Sequence, residues 1–555
     1  MSLPATHPAR VRLAARLVAL ATIMALGGCG TPGPEGRPDT YGLDFSLPAG
    51  SETTGAIVFL VDGLNAEYFQ RMLEAGELPA FRKYFADRGL YAPRAVANVP
   101  SITLVNLTSI ATGRLAGHHG IIGNHWFDRN RLIGRSYETI AQKNTLDGDY
   151  LAPTVFEMLP DETSFSVFFQ PHRKATKFVE NWTSAGPPFF FRWYEFVDRL
   201  TLFRLNIVAD VARQRRAWPA VTVAYLLAPD FRAYDHGFSS DEYRAAILHA
   251  DRQIGRVCSD LERAGLLDKL HLLLVSDHGH ADVHTHFPLR PFLDELGLHI
   301  ADKALWEKAP FEKRLEYYEQ FQSVTFGSGD RYFAVALRKP ASPDADRSYE
   351  NWTQRPAPAD LHDYPVDDAA RRIDLPAALL ARDEVDVVAY RNGDNRVRVA
   401  RASGEVEFRQ DAGPGGEIAY HLIRGDDPLG WRGKAPDVAL NGEPISPRAW
   451  LEATHASDYP DLPTQLLAYF RSRYAGDLAV FAAPGCDFFA NHQAGHGGLQ
   501  PDDMFVPILV AGPGVPHGRV EFARSVDVVP TILHLLGRAR PADLDGQSLL
   551  PPADQ

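Results

Sequence analysis

Five acid or imidazole side chains and one hydroxyl have the types and placement for chemistry beside a divalent cation. Asp62 ends the apolar run Ala56 to Val61, and Asp230 follows the run Val221 to Leu227. Asp277 and His278 follow the run Leu270 to Val275, and His496 lies in the glycine-rich Ala494-Gly495-His496-Gly497-Gly498. Carboxylate oxygen and imidazole nitrogen are ligands that zinc accepts. Each residue alone also suits a helix cap or a polar loop; the ordered set, every member at a strand end or in a glycine loop, points to a metal centre. Thr103 follows a Pro-Ser-Ile turn and precedes the apolar-periodic Leu104 to Ile110, which stops at Gly113. That pattern predicts a helix beginning at or beside Thr103. A hydroxyl there sits at the positive end of the helix among unpaired N–H groups, where an alkoxide can form and meet an anion; it also suits a plain N-cap.

The elements that must carry these residues read as an alternation. Strands are expected at Ala56 to Val61, Val221 to Leu227, Leu270 to Val275, Asp477 to Ala482 and Val506 to Val510. Helices are expected from about Ala66, over Ser240 to Gly265, and over Val526 to Leu536. Alternating strands and helices imply an α/β fold, a three-layer αβα sandwich around a mostly parallel sheet. Such sheets place their chemistry at the C-terminal ends of the strands. Between about 300 and 470 the pattern breaks. Tyr390 to Phe408 alternates at period two around Asn392-Gly393 and Ser403-Gly404, which are hairpin signals. The expected layout is therefore a core over 55–300, an inserted, partly β cap over 301–470, and the rest of the core over 471–555.

The chain of 555 residues is 45% hydrophobic and 23% charged, proportions of a soluble globular protein large enough for such an insertion. Its net charge of −13 argues against binding nucleic-acid duplexes, which calls for a basic face. Arg10, Arg12 and Arg16 precede a short apolar run, Leu17 to Leu26, that ends Leu26-Gly27-Gly28-Cys29. This resembles a bacterial lipoprotein signal over 1–28, with Cys29 lipidated and a Pro/Gly-rich tether over 29–54. Gly30 after the cysteine favours the outer membrane, so the expected location is the cell envelope, with membrane contact through a lipid anchor only. Cys258 and Cys486 either pair or remain free thiols.

Several motifs together resemble the alkaline phosphatase superfamily, in its nucleotide pyrophosphatase/phosphodiesterase-like branch. They are Leu60-Val61-Asp62-Gly63, Thr103-Leu104-Val105-Asn106, Thr112-Gly113-Arg114, and His119-Gly120-Ile121-Ile122-Gly123-Asn124. Ser276-Asp277-His278-Gly279, Gly495-His496-Gly497 and Val526-Asp527-Val528-Val529-Pro530-Thr531 complete the series. The resemblance covers about 55–300 and 470–550 and implies a metal-dependent phosphoric ester hydrolase acting through a covalent phospho-threonine. Thr103 would be the nucleophile. Asp62, Thr103, Asp277 and His278 would surround one divalent metal, and Asp230, a following histidine and His496 a second, zinc being the expected ion. Asn124 would donate its amide to a phosphoryl oxygen.

One spacing departs from that pattern. The family has Asp, three residues, then His, whereas Tyr234 stands four residues after Asp230 and His236 two further on. His236 is the expected ligand, with Asp235 or Tyr234 as alternatives. His280, His284 and His286 crowd the loop after His278 and read as solvated, although they could support the ligands or bind a further metal; His118, His119 and His125 read as structural. A monoester dianion needs fixed positive charge, for which Arg173 and Lys174 are candidates, or else a solvated turn. A diester needs an apolar groove, which Pro187 to Tyr194 could line. A small phosphate ester or nucleotide-like molecule, as diester or pyrophosphate, is the expected substrate. The alternatives are a phosphomonoesterase, an envelope phosphotransferase, and a non-catalytic envelope binding protein on the same fold.

Overall fold

The computed structural model describes residues 54–551 except 139–142, 180–181, 216–217, 303–304, 306–307, 343, 346, 368–369, 412–414 and 490. Cys29 and the tether lie outside the described residues.

The central sheet has eight strands in the order Gly518–Arg519, Gly89–Val96, Phe505–Ala511, Leu270–Val275, Gly55–Val61, Val221–Leu226, Ser164–Val167, Lys177–Val179. The five pairings that avoid Phe505–Ala511 are parallel; its own two, with Gly89–Val96 and Leu270–Val275, are antiparallel. Gly55–Val61 is apolar at every position because both faces of the sheet are covered. Ala56, Val58 and Leu60 enter one hydrophobic core, and Ile57, Phe59 and Val61 enter the other. The second core is closed by the helix Asp241–Arg263, capped by Ser240, with Tyr243, Ala246, Ile247, Ala250, Ile254, Val257 and Leu261 buried along one face. The first is closed in part by Thr103–Thr112 and Val528–Leu535. These are the expected three layers.

Gly89–Val96 is a strand the sequence hid. Pro93 and Arg94 break its apolar run, and they fall where the register with Phe505–Ala511 shifts between Ala92 and Ala95. A bulge tolerates a residue with no N–H to donate.

A second sheet of seven strands is antiparallel throughout: Ser323–Ser328, Tyr332–Leu337, Leu478–Ala482, Val385–Arg391, Arg396–Arg401, Gly404–Gln410, Ile418–Arg424. Both expected hairpin turns fall inside it. The strand that the sequence predicts at Asp477 to Ala482, as one of the alternating set, spans Leu478–Ala482 and lies in this second sheet, paired with Tyr332–Leu337 and Val385–Arg391. A five-residue apolar run buried on both faces reads alike in either sheet. Cys258 and Cys486 are both free thiols. Among the described residues no helix is long and apolar enough to cross a membrane.

Candidate metal and nucleophile site

The ends of the central strands converge on one buried cluster. Asp62 follows Gly55–Val61, Asp277 and His278 follow Leu270–Val275, and Asp230 lies in the first turn of the helix Ala228–His236 that follows Val221–Leu226. Gly63 allows the close approach. Its φ is +70°, and a Cβ there would lie 2.9 Å from the Asp230 Cα and from His280. His496 arrives from the far end of the chain. Its Nδ1 donates to the Ser101 carbonyl at 2.7 Å, and the Ser101 hydroxyl accepts from the Gly497 N–H at 3.1 Å. That leaves Nε2 facing the cluster, 3.9 Å from Asp230 Oδ1. The His496 ring stacks on His278 at 3.6 Å between centroids.

Two groups of ligand atoms result, each with members within 4.8 Å of one another: Asp62, Asp277 and His278; and Asp230, His278, His280 and His496. Thr103 is the first residue of Thr103–Thr112, with Ile102 rather than Thr103 at the N-cap. Its Oγ1 lies 3.0 Å from His278 Nε2, which in turn lies 3.3 Å from Asp62 Oδ1 and 3.5 Å from Asp277 Oδ2. Asn106, one turn into the helix, donates to the carbonyls of Asn98, Pro100 and Ile102 and so fixes the turn that presents Thr103.

Electrostatics support a cationic occupant. Burial and the neighbouring Asp230 and Asp277 push the Asp62 carboxyl well above its ordinary range. Burial lifts Asp230 to about 7 despite the favourable His278. Burial drives His280 down to about 3 and His496 well below its usual value, so both imidazoles stay neutral, as ligands must be. Asp62 Oδ1 and Asp277 Oδ2 are buried without a hydrogen-bond partner. Buried unpaired carboxylate oxygens are costly unless a cation meets them. The donor set, oxygen and imidazole only, fits zinc or a similar divalent ion.

His236 is not part of this cluster. It is exposed at the last position of the helix Ala228–His236. At 100° per residue it sits about 240° around the axis from Asp230, which takes it off the inner face. His280, read as solvated, is fully buried, with Nε2 2.7 Å from Asp230 Oδ1. Tyr234 keeps the position one turn after Asp230, and its ring packs against His280, His492 and His496 at 5.2, 4.7 and 5.4 Å. Asp235 is taken up by Arg192 at 2.8 Å. His284 and His286 are exposed, and His286 bonds Asp487 at 2.9 Å. His118 and His119 bond Asp545 and Ser109.

Arg173 is held by Glu157 at 3.0 Å and by the carbonyls of Asp147, Tyr150 and Ala152, so it is a structural clamp; Lys174 is exposed. Asn124 stands beside the helix Thr103–Thr112. Its Oδ1 accepts the Leu104 N–H at 3.2 Å, and its Nδ2 donates to Glu138 at 3.0 Å. His125 reaches the other Glu138 oxygen at 3.1 Å. It also lines a groove of about 460 Å³ with Phe326, Phe333, Phe488 and Phe489. Pro187 to Tyr194, a candidate lining for such a groove or else packing, spans the end of one helix and the start of another, with Phe190 exposed.

Sequence reasoning also missed Tyr225, whose hydroxyl donates to Asp62 Oδ2, and the pair formed by Asp330 and His492. Tyr225 sits inside an apolar strand, where it reads as core. Asp330 lies between strands of the second sheet, far in sequence from any motif.

A family model described as type I phosphodiesterase / nucleotide pyrophosphatase matches residues 56–404, more than half of the chain. The venom phosphodiesterase CdcPDE of Crotalus durissus collilineatus is 27% identical over 42% of this chain and 27% of its own length. Ectonucleotide pyrophosphatase/phosphodiesterase family member 1 of Mus musculus is 28% identical over 42% of this chain and 24% of its own length. The matched stretch thus spans about a quarter of those relatives. The structure of murine ectonucleotide pyrophosphatase / phosphodiesterase 5 superposes with a TM-score of 0.54 at 14% identity, over 89% of this chain and 98% of that one. The same fold similarity holds for its inactive variant solved in complex with AMP.

Proposed function

The chain belongs to the type I phosphodiesterase / nucleotide pyrophosphatase family of the alkaline phosphatase superfamily, and from that premise we propose that it is a metal-dependent phosphodiester hydrolase acting through phospho-threonine. The observation that carries this reading is the contact of Thr103 Oγ1 with His278, which itself lies against Asp62 and Asp277, at the positive end of a helix. Asp62, Asp277, His278 and Thr103 would hold one divalent ion, and Asp230, His280 and His496 another. Bound there, two such ions lower the pKa of the attacking hydroxyl and offset charge on the leaving oxygen.

The chain's own residues do the rest. Thr103 Oγ attacks phosphorus, the bond to the leaving alcohol breaks, and a phosphoryl-threonine ester remains. Water then attacks that phosphorus and releases Thr103. Asn124 Nδ2 has a second hydrogen to give a phosphoryl oxygen, and Glu138 holds the amide in place. His496, pinned by Ser101, keeps the second ligand set in register.

The phenylalanine groove beside His125 supports a diester, whose second substituent needs an apolar place, and the clamped Arg173 removes a cation that a dianion would use. A nucleotide-like diester or pyrophosphate is the substrate class. The proposed place of work is the cell envelope, through a lipid on Cys29.

Thr103→Ala tests the reading. Hydrolysis of bis(p-nitrophenyl) phosphate should fall at least about a thousandfold while metal analysis still finds about two zinc per chain. Full activity in that variant, or a wild type that carries no metal and cleaves nothing, would overturn it.

A further inference from the structure

We infer that Glu138 is a charge filter that makes this site prefer monoanionic phosphodiesters to dianionic phosphomonoesters; the inference rests on the phosphodiesterase reading above. Glu138 touches the amide assigned to a phosphoryl oxygen, 3.0 Å from Asn124 Nδ2. Asn124 cannot swing away, because its own oxygen is tied to the Leu104 N–H beside the nucleophile. The carboxylate cannot swing away either, because His125 holds its other oxygen at 3.1 Å. Burial among its neighbours would raise the Glu138 carboxyl, but the hydrogen bond and positive charge of His125 and the hydrogen bond from Asn124 outweigh it and keep the group below its usual value, hence ionised.

A fixed negative charge therefore stands next to the place where non-bridging oxygens must lie. Bound metal would neutralise Asp62, Asp230 and Asp277, but Glu138 belongs to neither ligand group. A monoester brings two negative charges and a diester one. A single extra charge about 5 Å from a carboxylate, at an effective dielectric of about 25–50, is worth roughly ten- to a hundredfold in binding or rate. The side chain is 55% exposed, which puts it at the mouth of the site, where it meets the incoming ester and where salt brings the effect toward the lower figure.

The test measures kcat/KM of the metal-loaded protein for p-nitrophenyl phosphate and for bis(p-nitrophenyl) phosphate, together with inhibition by inorganic phosphate. Glu138→Gln removes the charge but can still accept from Asn124; Glu138→Ala removes both. Glu138→Gln should raise the monoester-to-diester ratio about tenfold and lower the phosphate concentration needed for half inhibition by a similar factor. Glu138→Ala should raise the ratio as well, with lower rates on both esters. An unchanged ratio in whichever variant folds, or equal losses on both esters, overturns the inference and leaves Glu138 as a prop for Asn124. A wild type that cleaves neither ester overturns the phosphodiesterase reading itself, and the filter with it.

Discussion

At the scale of single residues, the second ligand set depends on which histidine faces Asp230. The family resemblance predicts a histidine shortly after Asp230 along the chain, but the helix Ala228–His236 turns Tyr234 inward and leaves His236 exposed. The imidazole comes instead from His280, two residues past His278 on a different strand end. The proposed two-metal site then predicts about two zinc per chain for the wild type and for His236→Ala, and about one for His280→Ala. Metal analysis after dialysis decides between them. Asp62, Thr103, Asp277, His278 and His496 were legible because each sits in a motif at a strand or helix end, and the structure brings them together. His280 was not legible, because burial of a loop histidine depends on the neighbours that cover it. Neither was Glu138, whose importance comes only from the amide it touches.

At the scale of elements, the helix Thr103–Thr112 is locked from behind by His119. Its Nδ1 accepts from the Ile121 N–H, so its Nε2–H is the group that donates to the Ser109 hydroxyl at 2.8 Å. Burial pushes this histidine down to about 3. In the unfolded chain it titrates near 6.5, so the unfolded state binds the extra proton between those values. The stabilisation is complete above about 6.5 and is lost as pH falls toward 3. By pH 4.5 the loss amounts to about 2–3 kcal/mol. His119→Gln should flatten this part of the stability profile, as read by urea unfolding at pH 7 and 4.5.

A second lock joins the two sheets. Arg331, fully buried after Ser323–Ser328, reaches Asp503 at 3.3 Å and Gln500 at 2.9 Å, just beyond His496. Arg331→Met strands the buried Asp503 carboxylate and should cost about 3–5 kcal/mol in chemical denaturation. The same loss of support beneath His496 should weaken zinc retention. Elements with a strong period were readable. Gly89–Val96 and the true sheet of Leu478–Ala482 were not, because a bulge hid one and pairing partners alone decide the other.

At the scale of the whole molecule, the carboxylates that crowd the centre work against folding until cations arrive. A ligand present at a thousand times its dissociation constant adds about 4 kcal/mol to the folded state. Chelation should therefore lower the melting temperature by several degrees, and zinc should restore it. Calorimetry with and without EDTA checks this, and an unchanged transition would argue against metal at the centre.

The hairpin that carries Gly329 and Asp330 runs alongside His496. The Gly329 carbonyl accepts the His496 N–H at 2.7 Å, and a Cβ on Gly329 would come within 2.7 Å of the imidazole. The second sheet is thus the floor on which the His496 imidazole rests. An engineer who trims residues 323–482 to reach a leaner enzyme takes that floor away. One who grafts the hairpin of a distant cousin reshapes the surroundings of His496 without exchanging any side chain of the candidate metal cluster.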